Sequence, residues 1–117
     1  MASKNLKINK PWGYEEIFAN TEKYIGKFIF IKKGHRLSRQ YHVQKDESIT
    51  VLSGVVVIEY GEAGNDRLIM ESGYSERVKP GTVHRFCATS SDVLLVEVST
   101  PEMDDVVRLE DDYGRSV

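Results

Sequence analysis

The amino-acid sequence predicts an all-β protein whose strands close into a barrel or into two packed sheets. Short apolar runs, rich in β-branched and aromatic residues, recur along the chain at the spacing typical of such folds. Turn-forming residues separate the runs, and helical periodicity is weak throughout. A chain made almost only of strands must protect its sheet edges, and closure does this. At 117 residues we expect one domain, over residues 1–117, with one core.

The individual strands are predicted from the apolar runs, which are residues 24–31, 49–52, 55–60, 67–70, 74–78, 83–88 and 93–98. Ser53-Gly54 joins two of these runs, a pattern typical of a strand, a tight turn and a strand. A further strand through Gln40 and His42 brings the prediction to about eight strands. Only residues 101–113 could hold a helical turn or two.

The composition is that of a soluble globular protein, with 40% hydrophobic and 29% charged residues. The formal charge of −2 gives no basic footprint for nucleic acid. No apolar run approaches the roughly 20 residues that cross a bilayer, and residues 1–7 lack the apolar stretch of a secretory signal. Cys87 is the single cysteine and cannot form an internal disulfide. We therefore expect a cytoplasmic protein with Cys87 buried in the core.

Polar side chains that could bind a metal recur at three places. Gln40 and His42 share one face of a strand, because side chains alternate along it. A turn at Lys45-Asp46 can return Glu47 opposite this pair, and His84 lies on a separate strand. If all four face one interior, their nitrogen and oxygen donors suit Zn²⁺, Mn²⁺, Co²⁺ or Fe²⁺ rather than Ca²⁺. The alternative is that Gln40 and His42 merely face water on a half-exposed strand.

The same residues resemble the first motif of the cupin superfamily, G-x5-H-x-H-x(3,4)-E-x6-G. Gly34 opens the motif and Gly54 closes it, with His42 at the second histidine and Glu47 at the glutamate. Gln40 stands at the first histidine. The resemblance implies a cupin barrel, also called a double-stranded β-helix or jelly roll, that holds one divalent metal ion.

The second cupin motif, G-x5-P-x-G-x2-H-x3-N, matches Gly73, Gly81 and His84. Lys79 replaces its proline and Ala88 its asparagine. Together, the two motifs imply that the metal ligands are Gln40, His42, Glu47 and His84.

A narrower resemblance covers nearly the whole chain. Residues 10–13, 37–42 and 107–115 are similar to the cupin domain of type II mannose-6-phosphate isomerases, in which glutamine occupies the first ligand position. The resemblance implies an aldose–ketose isomerase that converts mannose 6-phosphate to fructose 6-phosphate. The sequence departs from the family at Lys45, where the family has arginine, and at Ile49, where it has tryptophan. Lysine keeps the charge but loses the planar fork that binds a phosphate at two points.

Such an isomerase needs a metal to stabilise the enediolate, a base to move the proton, and cations to bind the phosphate. The sequence does not identify the base. Arg115 and Lys45 are the catalytic candidates, the first through the terminal match and the second through its place in the first motif. The whole pool of candidate phosphate-binding cations is Arg36, Arg39, Lys45, Lys79, Arg85 and Arg115.

Other residues and functions stay open at this point. Trp12 could plug the barrel or stack on a sugar, His35 is expected in an exposed loop, and Glu59 and Glu97 are assigned no role. One alternative function is a non-catalytic cupin that binds a sugar or a sugar phosphate. Another is a different cupin enzyme, such as a sugar epimerase or a dioxygenase, although Gln40 argues against an iron dioxygenase. We also expect the protein to form a homodimer.

Overall fold

The computed structural model describes residues 1–115, which fold into strands without an α-helix. The last two residues of the predicted domain lie outside this range. The strands are β1 (Leu6–Lys10), β2 (Gly13–Asn20), β3 (Ile25–Ile31), β4 (His35–Arg36), β5 (Arg39–Tyr41), β6 (Glu47–Ser53), β7 (Val55–Tyr60), β8 (Asp66–Glu71), β9 (Ser75–Val78), β10 (His84–Ala88), β11 (Val93–Ser99) and β12 (Val107–Glu110). Within residues 1–115 we find no helix that is long and apolar enough to span a membrane.

Two antiparallel sheets pack face to face. Sheet A has the order β1-β2-β3-β11-β6-β9, and sheet B has the order β12-β5-β10-β7-β8, with β4 paired to β10. This two-sheet arrangement is a jelly roll, and it confirms the all-β cupin fold predicted from the sequence. Most neighbouring strands within a sheet, such as β3-β11, β11-β6 and β10-β7, come from distant parts of the chain, so most contacts that hold the barrel together are long-range.

The space between the sheets is apolar at one end and polar at the other. The apolar end contains Ile31, Val51, Val56 and Leu95, each at most 2% exposed. Burial of each such side chain contributes about 1.5–3 kcal/mol. The inward-facing positions at the other end are occupied by charged residues. On β11, for example, Glu97 is the next inward residue after Leu95. The functional residues therefore rest on a packed apolar base.

The turn at Ser53-Gly54 differs from a simple hairpin. It joins β6 in sheet A to β7 in sheet B, and the two strands do not pair. Gly54 has a φ of 81°, and a Cβ there would lie 1.9 Å from the carbonyl oxygen of Asp92. Glycine is therefore required where the chain crosses between the sheets. Glu47 begins β6 in sheet A, whereas Gln40 lies in β5 of sheet B. The two residues therefore do not pair as in a hairpin but face each other across the interior.

The prediction of a helical turn in residues 101–113 is wrong. Residues 107–110 form β12, whose hydrogen-bonding partner is β5. The strands β1 and β2 were not predicted either, since lysine, asparagine and glutamate interrupt their apolar residues. In both cases the pairing strand, rather than local composition, determines the structure.

The outer face of sheet A carries aromatic rings in contact with one another. Tyr14 stacks on Phe30 with ring centroids 5.1 Å apart, and Phe18 lies 5.2 Å from Phe28. Val98 on the same face is exposed. The homodimer expected from the sequence stays a prediction, and this face is where light scattering on a Val98→Glu variant would test it.

Candidate metal centre

Three predicted ligands meet at the polar end of the barrel. His84 begins β10 in sheet B, His42 follows β5 in the same sheet, and Glu47 begins β6 in sheet A. All three are buried, and one ligand atom of each lies within 4.8 Å of the other two. Donors on opposite sides of an ion bound at about 2.1 Å lie about 4 Å apart, so a small movement would let these atoms share one ion.

Gln40 lines the same cavity beside these residues. It pairs directly with His84 in the ladder between β5 and β10, and its amide nitrogen donates to the Ser38 carbonyl at 3.4 Å. The amide oxygen is thereby left available as a fourth ligand.

Both imidazoles are oriented by main-chain carbonyl groups. His84 Nδ1 lies 2.8 Å from the Thr82 carbonyl oxygen, and His42 Nδ1 contacts the carbonyl oxygen of Asp105. A carbonyl can only accept, so Nδ1 carries the proton in each ring and Nε2 of the neutral ring keeps its lone pair. Burial lowers the pKa of His84, which favours the neutral ring. This is the arrangement that a metal-binding histidine requires.

Glu47 supplies negative charge to the same point. Burial raises the pKa of Glu47, but its contact with His42 and the charge of Lys45 outweigh that effect and lower the pKa to about 2. Glu47 Oε2 lies 3.0 Å from His42 Nε2, yet it accepts no well-aligned hydrogen bond from the described residues. A carboxylate oxygen and an imidazole lone pair repel at this distance unless a proton or a cation lies between them. The donor set therefore fits a divalent first-row metal ion.

A chain of ion pairs leads away from Glu47. Lys45 Nζ lies 3.5 Å from Glu47 Oε2 and 3.2 Å from Glu97 Oε2. Lys27 Nζ follows, 3.8 Å from Glu97 and 3.1 Å from Glu15. Burial alone lowers the pKa of Lys45, but Glu97 and Glu47 outweigh it and raise the pKa, so Lys45 stays cationic. Glu97, which was assigned no role from the sequence, is thus an inward member of this chain.

The cavity above these residues measures about 270 Å³ and also contains unpaired cationic atoms. Arg108 of β12 lines it, lies opposite Gln40 in the ladder, and forms no ion pair with any residue from 1 to 115. Its Nε is buried without a hydrogen-bond partner in that range. Arg115 lines the same cavity and is held by Asp111 at 2.7 Å. The sequence analysis missed Arg108, because its inward direction depends on the pairing of β12 with β5.

Several predicted phosphate-binding cations lie elsewhere. Arg39 and Arg85 are sequence neighbours of the inward Gln40 and His84, so strand alternation places them on the outer face of sheet B. Arg85 is fully buried there and donates to the Leu37 carbonyl at 2.8 Å. The remaining bonds of this outer cluster join Arg85 to Glu110 and Asp112, Arg39 to Glu59 and Glu110, and Arg36 to Asp112. Neither these arginines nor Lys79 lines the cavity.

Three other candidates are also placed by the structure. Trp12 packs in the apolar core and also lines the cavity. His35 does not lie in a loop but in β4, half-buried, with its ring 6.2 Å from that of Tyr113. Cys87 is buried, and burial raises the pKa of its thiol to about 11, so it is not a reactive thiolate.

The two sheets and the inward histidines, glutamate and glutamine define a cupin barrel with a candidate metal centre. The profile of the mannose-6-phosphate isomerase C-terminal family matches residues 1–111. The chain belongs to this family.

Relatives of known sequence are consistent with this assignment. The chain is 31% identical over 98% of its length to the xanthan biosynthesis protein XanB of Xanthomonas campestris, of which it covers 25%. It is 36% identical over 92% of its length to the mannose-1-phosphate guanylyltransferase ManC of Salmonella typhimurium, of which it covers 23%. The chain thus spans about a quarter of the length of these relatives.

Solved structures share the fold. The capsular polysaccharide assembling protein CapF of Staphylococcus aureus superposes with a TM-score of 0.76 at 19% identity, covering 94% of this chain and 35% of CapF. KdgF from Halomonas gives 0.75 at 18% identity, covering 90% and 98% of the two chains. Oxalate decarboxylase from Bacillus subtilis gives 0.77 at 14% identity, covering 90% and 30%.

Proposed function

We propose that this chain is a metal-dependent sugar-phosphate isomerase that converts mannose 6-phosphate to fructose 6-phosphate. The observation that carries the proposal is one cavity that combines a buried His42–Glu47–His84 donor set with the unpaired guanidinium of Arg108. Its volume of about 270 Å³ is near the lower end of the range for ligand pockets and suits a monosaccharide phosphate.

In this proposal His42, Glu47, His84 and Gln40 hold one divalent ion, whose identity among zinc, cobalt, manganese and iron is open. When bound, the ion would polarise the sugar oxygens and stabilise the negative charge that develops between C1 and C2. The contacts of His42 and Lys45 with Glu47 keep this carboxylate ionised. Lys45 contributes through its contacts with Glu47 and Glu97, which fix the charge beside the reacting carbons.

Arg115 and Arg108 bind the phosphate in this proposal. Both line the cavity, and neither belongs to the Lys45 chain of ion pairs. The planar guanidinium group matches two phosphate oxygens at once, which lysine cannot do. Arg115 shares its charge with Asp111, so we assign it the weaker contact and Arg108 the stronger.

The test is turnover of mannose 6-phosphate by protein loaded with Zn²⁺, Co²⁺ or Mn²⁺, with fructose 6-phosphate as the measured product. His84→Ala should abolish both metal binding and turnover. His35→Ala is the matched control, because His35 lies outside the cavity, and it should retain both. A folded protein that gives no product with any of these metals would contradict the isomerase.

The second candidate is a non-catalytic cupin that binds a sugar or a sugar phosphate. The observation that favours it is that the cavity carboxylates of half-buried Glu15 and of buried Glu47 and Glu97 are each already paired with a lysine. Ligand binding raises apparent stability by mass action. Thermal stabilisation by mannose 6-phosphate without turnover would support this candidate, and the absence of a shift with any sugar phosphate would exclude it.

A further inference from the structure

Asp105 lies outside the donor set but contacts four consecutive residues that lead into it. It belongs to the segment of residues 100–106 that joins β11 to β12. Its Oδ1 accepts from the amide of Val43 at 3.0 Å, and its Oδ2 accepts from the amides of Gln44 at 2.7 Å and Lys45 at 2.9 Å. Its own carbonyl oxygen accepts from His42 Nδ1. Asp105 therefore accepts hydrogen bonds from the three consecutive backbone amides of residues 43–45 and also contacts the imidazole of His42.

We propose that Asp105 is a positioning residue for the candidate metal centre, a proposal that rests on the proposed function. The loop of residues 43–46 connects the ligands His42 and Glu47, so its path sets the separation of their donor atoms, 3.0 Å between Nε2 and Oε2. The carboxylate holds the loop at three amides, and the carbonyl of the same residue directs the His42 ring. Asp105 thus fixes both the position of the loop that carries the candidate ligands and the orientation of the His42 ring.

A carboxylate is the side chain that this arrangement needs. Three amide N–H groups that converge on one point form a concave site for an anion, and hydrogen bonds to a charged acceptor are about twice as strong as neutral ones. These hydrogen bonds lower the pKa of Asp105, so its carboxylate stays ionised to a lower pH than an ordinary aspartate does. Asparagine would keep one acceptor oxygen but would turn N–H donors toward the amides. Alanine would leave all three amides without this partner.

The neighbouring residue provides a matched control. Asp104 is exposed and lines the cavity, but its side chain makes no hydrogen bond with residues 1–115. Asp104→Asn therefore removes the same charge at a similar position without touching the loop. A purely electrostatic effect on a bound cation would appear in both variants. A positioning effect would appear only at Asp105.

The experiment is a Co²⁺ titration of the full chain followed by visible absorption, with folding checked by circular dichroism. Partners that orient metal ligands typically change affinity by about 10- to 100-fold, so we expect Asp105→Asn to weaken Co²⁺ binding by that factor and to alter the absorption band. Asp104→Asn should stay within about twofold of wild type. Asp105→Glu, which keeps both oxygens on a longer chain, should give partial rescue.

A metal-free measurement keeps the proposal testable if the affinity change has another cause. Amide hydrogen exchange at Gln44 and Lys45 should be faster in Asp105→Asn than in Asp104→Asn, because only the first replaces a charged acceptor oxygen of these amides with an N–H donor. Equal exchange and equal Co²⁺ affinity in the two variants would overturn the positioning role while leaving the metal centre intact. Failure of wild type to bind Co²⁺ at all would overturn the metal centre itself, and the positioning role with it.

Discussion

The two faces of sheet B carry charged clusters of different character. On the outer face, Arg39 and Arg85 each have carboxylate partners within 3.3 Å. On the inner face, Arg108 has no ion pair among residues 1–115, and one ligand atom each of His42, Glu47 and His84 lies within 4.8 Å of the other two. Within residues 1–115, the outer cluster pairs Arg39 and Arg85 with carboxylates, whereas the inner group contains a guanidinium nitrogen of Arg108 without a partner.

This difference separates stability from function on a single sheet. A buried charge costs free energy unless it is paired. Arg85 can therefore be fully buried because carboxylates of the outer cluster pair with it. In the proposed function, a bound ligand would pair the atoms of the inner group that have no partner among residues 1–115. Changes on the outer face should therefore alter the free energy of unfolding, and changes on the inner face should alter binding.

The largest expected effect is on the outer face. Arg85→Met should lower the free energy of unfolding by about 3 kcal/mol, near the lower end for a broken buried ion pair, because the partner carboxylates are partly exposed. Arg36→Met is the control on the same cluster and should cost less than about 1 kcal/mol, since Arg36 is exposed to solvent. Urea unfolding of both variants measures this, and equal costs would contradict the outer cluster's dependence on Arg85.

The next effect concerns the inner group. Co²⁺ at about 100 times its dissociation constant should stabilise the wild-type protein by about 2.7 kcal/mol. His84→Ala should lose that gain and His35→Ala should keep it, as thermal unfolding with and without metal would show. Stabilisation of His84→Ala to the same extent would mean that the metal binds elsewhere.

A smaller effect is expected at Arg108. Arg108→Ala should raise the KM for mannose 6-phosphate by about 30-fold, equivalent to the loss of about 2 kcal/mol for a hydrogen bond between charged groups. The free energy of unfolding should change by less than about 0.5 kcal/mol. Competition by mannose without phosphate is the internal control. If both sugars lose affinity equally, Arg108 does not bind the phosphate.

The smallest effect is the contribution of the outer cluster to the pH dependence of the free energy of unfolding. Hydrogen bonds from Arg36 hold the pKa of Asp112 below its ordinary value of 3.8. A depressed pKa contributes stability that is present above pH 3.8 and is lost as the pH falls through the folded-state pKa. In Asp112→Asn, the free energy of unfolding measured with urea should therefore fall less steeply with decreasing pH below 3.8 than in the wild-type protein. An unchanged slope would show that Asp112 is not coupled to its arginine partners.

The sequence predicted the fold and the convergence of the candidate donors His42, Glu47 and His84, but not the residues that surround them. The spacing of His42, Glu47 and His84 follows motifs that can be read along the chain. Alternation also assigns Arg85 outward once His84 is inward, although the sequence analysis did not apply it. The directions of Arg108 and Asp105, by contrast, depend on β12 and its preceding segment reaching β5 from a distance of more than 60 residues. Local periodicity contains no information about that pairing.

The carbonyl group of Thr82 has a consequence for protein engineering. Every amino acid contributes the same peptide oxygen, so the protonation pattern of the His84 ring is independent of which side chain occupies position 82. A designer could therefore vary that position, within what the turn tolerates, to reshape the nearby surface while His84 Nδ1 keeps the same carbonyl partner.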